Sequence, residues 1–244
     1  MRAILTFHSI DDSGSVISYK PDYFAGLLAS LTHKQIPIYD LDTLLNSSQG
    51  PGVAITFDDG MRSVYEYALP ELKKYNAPAH LFLTTEAIEN GTPWPAQPVD
   101  IPSFDMLTWE QLEELHQSGV FIDSHTHTHP DMRKISVTEM QDDCDTADDL
   151  ITRKLGRKPE YFAYPYGFHN AAARDFVSKR YKGTVTVELR HLSSKENHAT
   201  LPRLDSYYLQ SDWAIQNIDT LIMTLYLKAR SRMRALKGSQ SDLG

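Results

Sequence analysis

The sequence predicts an α/β barrel of about seven strand–helix units, and three observations carry that prediction. Short apolar runs bounded by turn residues recur along the chain, amphipathic helical patterns separate them, and the most reactive residue clusters directly follow the runs. The chain has 244 residues, a length that one such barrel accommodates.

In chain order, the expected strands cover residues 3–7, 53–57, 79–83, 120–123, 161–164, 184–187 and 201–204. Most are rich in β-branched or aromatic residues, as buried strands are. Between them, Phe24, Leu27, Leu28 and Leu31 recur at helical spacing, and so do Met140, Cys144, Ala147, Ile151 and Leu155. Thr108 ahead of Trp109-Glu110-Gln111 has the pattern of a capping box, and Gly119 closes that helix. Strand–helix alternation implies a parallel sheet with crossover helices, and in a barrel the reactive residues sit at the C-terminal strand ends. Two segments fall outside the pattern. Residues 92–103 hold Pro93, Pro95, Pro98 and Pro102 with Trp94, which makes them a loop on the rim of a cleft. Residues 228–244 are basic and then Gly/Ser-rich, the pattern of a solvated helix with a frayed end, or of a helix lying on a membrane surface. One domain over residues 1–236 and a disordered tail over 237–244 are therefore expected.

Composition narrows the function. A net charge of −8 and a pI near 5.6 argue against nucleic acid as a partner, which requires a basic face. Hydrophobic residues at 41% and charged residues at 23% are those of a globular domain. A single cysteine, Cys144, excludes an internal disulfide. The opening apolar run is broken by His8, Asp11 and Asp12, and no stretch reaches the ~18 apolar residues of a membrane span. The expected compartment is the cytoplasm, with no stable membrane span.

Three motifs carry chemistry. The run 53–57 ends in Asp58-Asp59-Gly60. Adjacent carboxylates at a buried strand end repel one another, and a cation beside them removes that cost; the plainer alternative is that they cap the next helix. In an extended strand they would face opposite ways, but a turn at Gly60 can bring both to one cavity. The second run, Asp123-Ser-His125-Thr-His127-Thr-His129-Pro130, places three of the ten histidines within five residues. Imidazole is the commonest metal ligand near neutral pH. His125 and His129 share a face if a helical turn begins here, whereas His125 and His127 share one if the strand continues. The third, Tyr164-Pro165-Tyr166-Gly167, delivers the Tyr166 N–H at a strand end, a donor suited to an oxyanion, or else forms a plain aromatic turn.

Thr56-Phe-Asp-Asp-Gly60, Ser124-His-Thr-x-x-His129 and Pro165-Tyr166-Gly167 together resemble the polysaccharide deacetylases, the NodB-homology family of carbohydrate esterases, in order and in spacing. The resemblance implies a distorted (β/α)7-type barrel. It implies Asp58 as general base, Asp59, His125 and His129 as ligands of one divalent metal, with zinc first and cobalt or nickel as alternatives, and Tyr166 N–H as oxyanion donor. His127 would be a non-ligand, and the substrate an N-acetylated sugar or glycan. Two departures stand out. The arginine that usually orients the base, two residues before the third-motif proline, is Ala163 here, and Arg203 is the candidate to replace it. The usual late Leu-x-x-His with the general acid is missing, while Leu5-Thr-Phe-His8 has that pattern at the opposite end. First and last strands of a closed barrel are neighbours, so His8 can stand where the late histidine would. This looks like the circularly permuted branch that deacetylates poly-N-acetylglucosamine-type exopolysaccharide. Alternatives are a phosphoesterase or amidohydrolase using His125-x-His127, a non-catalytic glycan-binding barrel, and hydrolysis of a formyl or non-sugar amide. Trp94, Tyr207, Tyr208 and Trp213 are candidates to stack on sugar rings or to fill the core.

Overall fold

The computed structural model describes residues 1–46, 50–91 and 103–241. The chain runs β1 (Arg2–Phe7), β2 (Ser9–Ile10), β3 (Ser18–Tyr19), α1 (Pro21–His33), α2 (Leu41–Leu45), β4 (Gly52–Asp59), α3 (Leu69–Tyr75), β5 (Ala79–Leu83), α4 (Thr85–Asn90), α5 (Trp109–Gln117), β6 (Val120–Ser124), α6 (Val137–Leu155), β7 (Tyr161–Ala163), α7 (Ala171–Ser178), β8 (Gly183–Val185), β9 (Leu204–Asp205), α8 (Asp212–Gln216) and α9 (Leu221–Ser241). A π-helical turn, Val64–Ala68, leads into α3.

Seven strands form one parallel sheet in the order β8-β7-β6-β5-β4-β1-β9. The two edges meet: Leu201, just before β9, bridges Val185 of β8, so the sheet rolls into the expected (β/α)7-type barrel. The alternation of strand side chains divides the core into layers. Ala3, Leu5 and Phe7 of β1 and Val53, Ile55 and Phe57 of β4 face outward and bury Phe24, Leu27, Leu28 and Leu31 of α1. Ile4, Ala54, Phe82, Ala163, Val185 and Leu201 fill the interior.

Helix ends follow local chemistry. Thr108 accepts from the Gln111 amide at the start of α5, and Gln111 returns the bond, the reciprocal cap expected there. Ser136 and Glu139 repeat the device on α6. The expected loop over 92–103 lies, except for Ser103, outside the described residues, and Trp94 with it. α9 continues through Ser241, into the stretch 237–244 expected as a disordered tail.

The barrel interior is closed below the site by a satisfied polar pair. His80 Nδ1–H donates to Asp123 at 2.6 Å, while the Leu41 N–H donates to His80 Nε2 at 3.0 Å. Asp123 also accepts the amides of Glu160 and Tyr161.

Candidate active site and metal centre

Period-two alternation carries two reactive residues to the inner mouth of the barrel. Ile4 faces inward, so Thr6 and His8 follow it. Ala54 faces inward, so Thr56 and Asp58 follow it. Phe7 is in register with Phe57, which sets His8 beside Asp58, with His8 Nε2 3.9 Å from Asp58 Oδ2. Asp59, the next residue, would face outward in a regular strand. Instead it takes a left-handed φ of 77°, and Gly60 follows at 104°. The φ is what demands glycine at position 60; a Cβ there would also press on the Leu83 Cδ1 methyl, 2.7 Å away. The break turns Asp59 toward His125, at 3.5 Å.

His125 follows β6 by one residue. Its Nδ1–H donates to the Ala163 carbonyl at 2.8 Å, which fixes the ring and aims Nε2 at Asp59. His129 Nε2 lies 3.2 Å from His125 Nε2 and 3.7 Å from the same Asp59 oxygen. A tetrahedral ion with bonds of about 2.0–2.1 Å has donor–donor edges of roughly 3.3–3.4 Å. The triangle of 3.2, 3.5 and 3.7 Å therefore has the size of three ligands around one cation. It also has the chemistry, two imidazoles and one carboxylate, all buried, and it forms a possible metal-holding group among the described residues. Of the two pairings open in the sequence, His125 with His129 is the one brought together. His127 points elsewhere, its Nδ1 hydrogen-bonded to the Thr85 hydroxyl at 2.9 Å.

Arg203 is buried and forms two parallel bonds with Asp58, 2.7 Å to each carboxylate oxygen. Its Nε–H donates to the Thr186 carbonyl, and a terminal N–H donates to the Thr56 hydroxyl. The guanidinium thus reaches Asp58 from the residue before β9, while the Ala163 position supplies a backbone carbonyl to a candidate ligand instead. Burial alone would raise the Asp58 pKa; the Arg203 charge and its hydrogen bonds outweigh burial and hold the carboxyl down at about 2. For His125, burial opposes the charged ring, but the Asp59 hydrogen bond and both aspartate charges hold its pKa above the ordinary value. For His129, burial comes first and the neighbouring His125 and His8 add to it, so its pKa lies well below the ordinary value.

Tyr166 sits in a tight turn at φ 57°, with its ring edge-on to His129 at 4.4 Å. Asp59, Thr126, His129 and Tyr166 are four of the six non-glycine residues with positive φ among the described residues. Each such residue costs of order 1–3 kcal/mol, and their concentration at one mouth marks a place where position outweighs local stability. Tyr207 and Trp213 are about half exposed, and Tyr208 lies edge-on between Tyr207 and Tyr226.

One supporting residue escapes sequence reasoning. Asp143 of α6 accepts the His127 N–H at 2.6 Å, the Thr128 N–H at 3.3 Å and the Thr128 hydroxyl at 2.6 Å. It clamps the turn that delivers His129. The first amides of α4 join in: Thr85 donates to the Thr126 carbonyl and Glu86 to that of His127. Nothing in the sequence marks Asp143 apart from its solvated neighbour Asp142, because its partners are 15 and 16 residues away.

A family model described as polysaccharide deacetylase matches residues 46–181, more than half of the chain. The chain belongs to the polysaccharide deacetylase family. YxkH of Bacillus subtilis (strain 168) is 27% identical over 191 residues, 76% of this deacetylase-family chain and 64% of YxkH. A poly-beta-1,6-N-acetyl-D-glucosamine N-deacetylase of Staphylococcus aureus (strain MSSA476) is 26% identical over 167 residues, 64% of this chain and 52% of that one. The chain thus spans between half and two thirds of the length of these curated relatives. In fold it is similar to the Streptococcus pyogenes deacetylase PplD, solved with acetate, at a TM-score of 0.72, 24% identity and coverage of 83% of this chain and 91% of PplD. It is likewise similar to IcaB from Ammonifex degensii, at a TM-score of 0.71, 23% identity and coverage of 88% and 96%.

Proposed function

We propose that this chain removes N-acetyl groups from amino sugars of a glycan, using one divalent metal held by Asp59, His125 and His129. Zinc suits the donor set first, and cobalt or nickel after it. The observation that carries the reading is the donor triangle lying directly beside an arginine-clamped aspartate and a histidine. The Staphylococcus relative named for poly-N-acetylglucosamine supports a glycan as substrate.

A cation bound there would polarise the acyl carbonyl and lower the pKa of water from about 15.7 toward roughly 7–9. The remaining work falls to side chains. Asp58, charged and held in one orientation by Arg203, accepts the proton of the attacking water as its oxygen bonds to the acyl carbon. The Tyr166 N–H, in the turn against His129, donates to the oxyanion that results, a contribution of about 3–4 kcal/mol for such a donor. His8, at the exposed side of Asp58, gives a proton to the amide nitrogen as the carbon–nitrogen bond breaks. Acetate and a free amine leave. The hydrogen bond that turns His127 toward Thr85, together with the use of Asp123 by His80, argues against the His125-x-His127 phosphoesterase alternative.

The test is acetate release from N-acetylated sugar oligomers by metal-stripped protein, before and after adding back single metals. Release that returns with zinc, cobalt or nickel is expected. Failure to bind a metal, with no chelator-sensitive release from any sugar, would replace the enzyme reading with a binding barrel.

A further inference from the structure

α9 presents an unusual outer face. Leu221, Ile222 and Leu225 are 73%, 61% and 57% exposed, and Met233 and the neighbouring Trp213 are about half exposed. At 100° per residue, the four on α9 share one arc with Lys228 and Arg232, opposite the buried Met223 and Leu227. The inward cations of the helix are used by the fold: Arg230 lies over the rings of Tyr208 and Tyr226, and Arg234 reaches Asp205. Lys228 and Arg232 point outward.

Charge says what the face meets. In a chain of net charge −8, residues 221–241 carry Lys228, Arg230, Arg232, Arg234 and Lys237 and no acidic residue. Beside Lys228 lies a cavity of about 290 Å³, lined by Leu189, His191, Leu192, Thr224 and Leu227. His191 Nε2 is buried there without a hydrogen-bond partner, a position an anionic oxygen would satisfy. A second copy of the same face would oppose cation to cation, since the helix has no acids to answer them. None of the described helices is long and apolar enough to cross a membrane, but an apolar strip edged by basic residues is the pattern of a helix that lies on one.

We propose that the outer face of α9 docks on an anionic lipid surface. Leu221, Ile222 and Leu225 enter the boundary of the acyl region, Lys228 and Arg232 sit against the lipid phosphates, and the His191 cavity takes a headgroup oxygen. The inference is independent of the deacetylase chemistry.

The test is co-sedimentation of the full chain with vesicles of phosphatidylcholine alone or enriched in phosphatidylglycerol. Binding only to the anionic vesicles, weakened by salt, is expected. K228A/R232A should weaken it roughly 30-fold. I222S/L225S should release the protein while keeping the thermal midpoint and zinc binding of the wild type, which separates docking from folding. Equal binding to both vesicle types, or anionic binding untouched by I222S/L225S, would overturn the proposal. So would absence of vesicle binding together with a dimer that I222S/L225S dissolves, which would assign the face to a second copy.

Discussion

Asp58 joins the candidate centre to the barrel wall, and its two duties can be separated. Asp58→Asn keeps the shape and one acceptor oxygen but cannot take a proton. It should retain zinc at wild-type stoichiometry and lose most turnover, a contrast read by metal analysis beside acetate release; wild-type turnover would remove Asp58 from the base role. His8→Ala should lower kcat with metal retained, and an unchanged kcat would leave His8 a structural strand-end residue. Arg203 acts through Asp58. The folded-state pKa of Asp58, about 2, lies below its ordinary 3.8. The pair therefore contributes stability that is fully present above pH 3.8 and is lost as pH falls through about 2. Arg203→Ala leaves a buried carboxylate unpaired, at a cost of roughly 3–5 kcal/mol. Burial then governs Asp58 and pushes its pKa up. The acid limb of the pH–rate profile should move upward in Arg203→Ala, together with a lower midpoint in denaturant; an unmoved acid limb would show that Arg203 does not set the ionisation of Asp58.

Among the elements, the turn from Ser124 to His129 takes its shape from contacts its own sequence does not contain. Its histidine spacing is visible in one dimension, but which pair converges depends on where the strand stops. Thr126 at φ 71° and His129 at φ 56° fold the chain back on itself, and the bonds from Asp143 and the α4 amides hold that shape. Asp143→Ala should loosen the turn and weaken zinc affinity about 10–100-fold, the usual effect of losing a group that orients ligands. Asp143→Asn, which keeps one acceptor oxygen, should fall between. Competition with a chelator measures both, and a zinc affinity equal to wild type in Asp143→Ala would mean that the turn holds its shape without the clamp. The capping box at Thr108 was legible because its partner lies three residues away. The Asp143 clamp was not, because it joins a helix to a turn through tertiary packing.

For the whole molecule, the proposed metal site would couple metal binding to folding. A ligand that binds only the folded chain stabilises it by about 2.7 kcal/mol at a hundredfold excess over Kd. Zinc should therefore raise the thermal midpoint of the wild type and of Asp58→Asn, but not of His125→Ala or His129→Ala; an equal rise in all four would place zinc elsewhere. Periodicity and neighbours a few residues apart place six of the seven sheet strands to within two residues, the helical faces and the three motifs, whereas the strand expected over 201–204 is a bridge at Leu201 and a short β9 at Leu204–Asp205. The sequence by itself also put His8 and Asp58 within reach of inference, since each continues the inward alternation of its strand. Closure of the sheet decided the rest. Only when β1 lies between β4 and β9 does His8 stand beside Asp58 and Arg203 reach it in place of Ala163. Contacts across 50 to 145 residues depend on register and strand order, which local spacing does not contain.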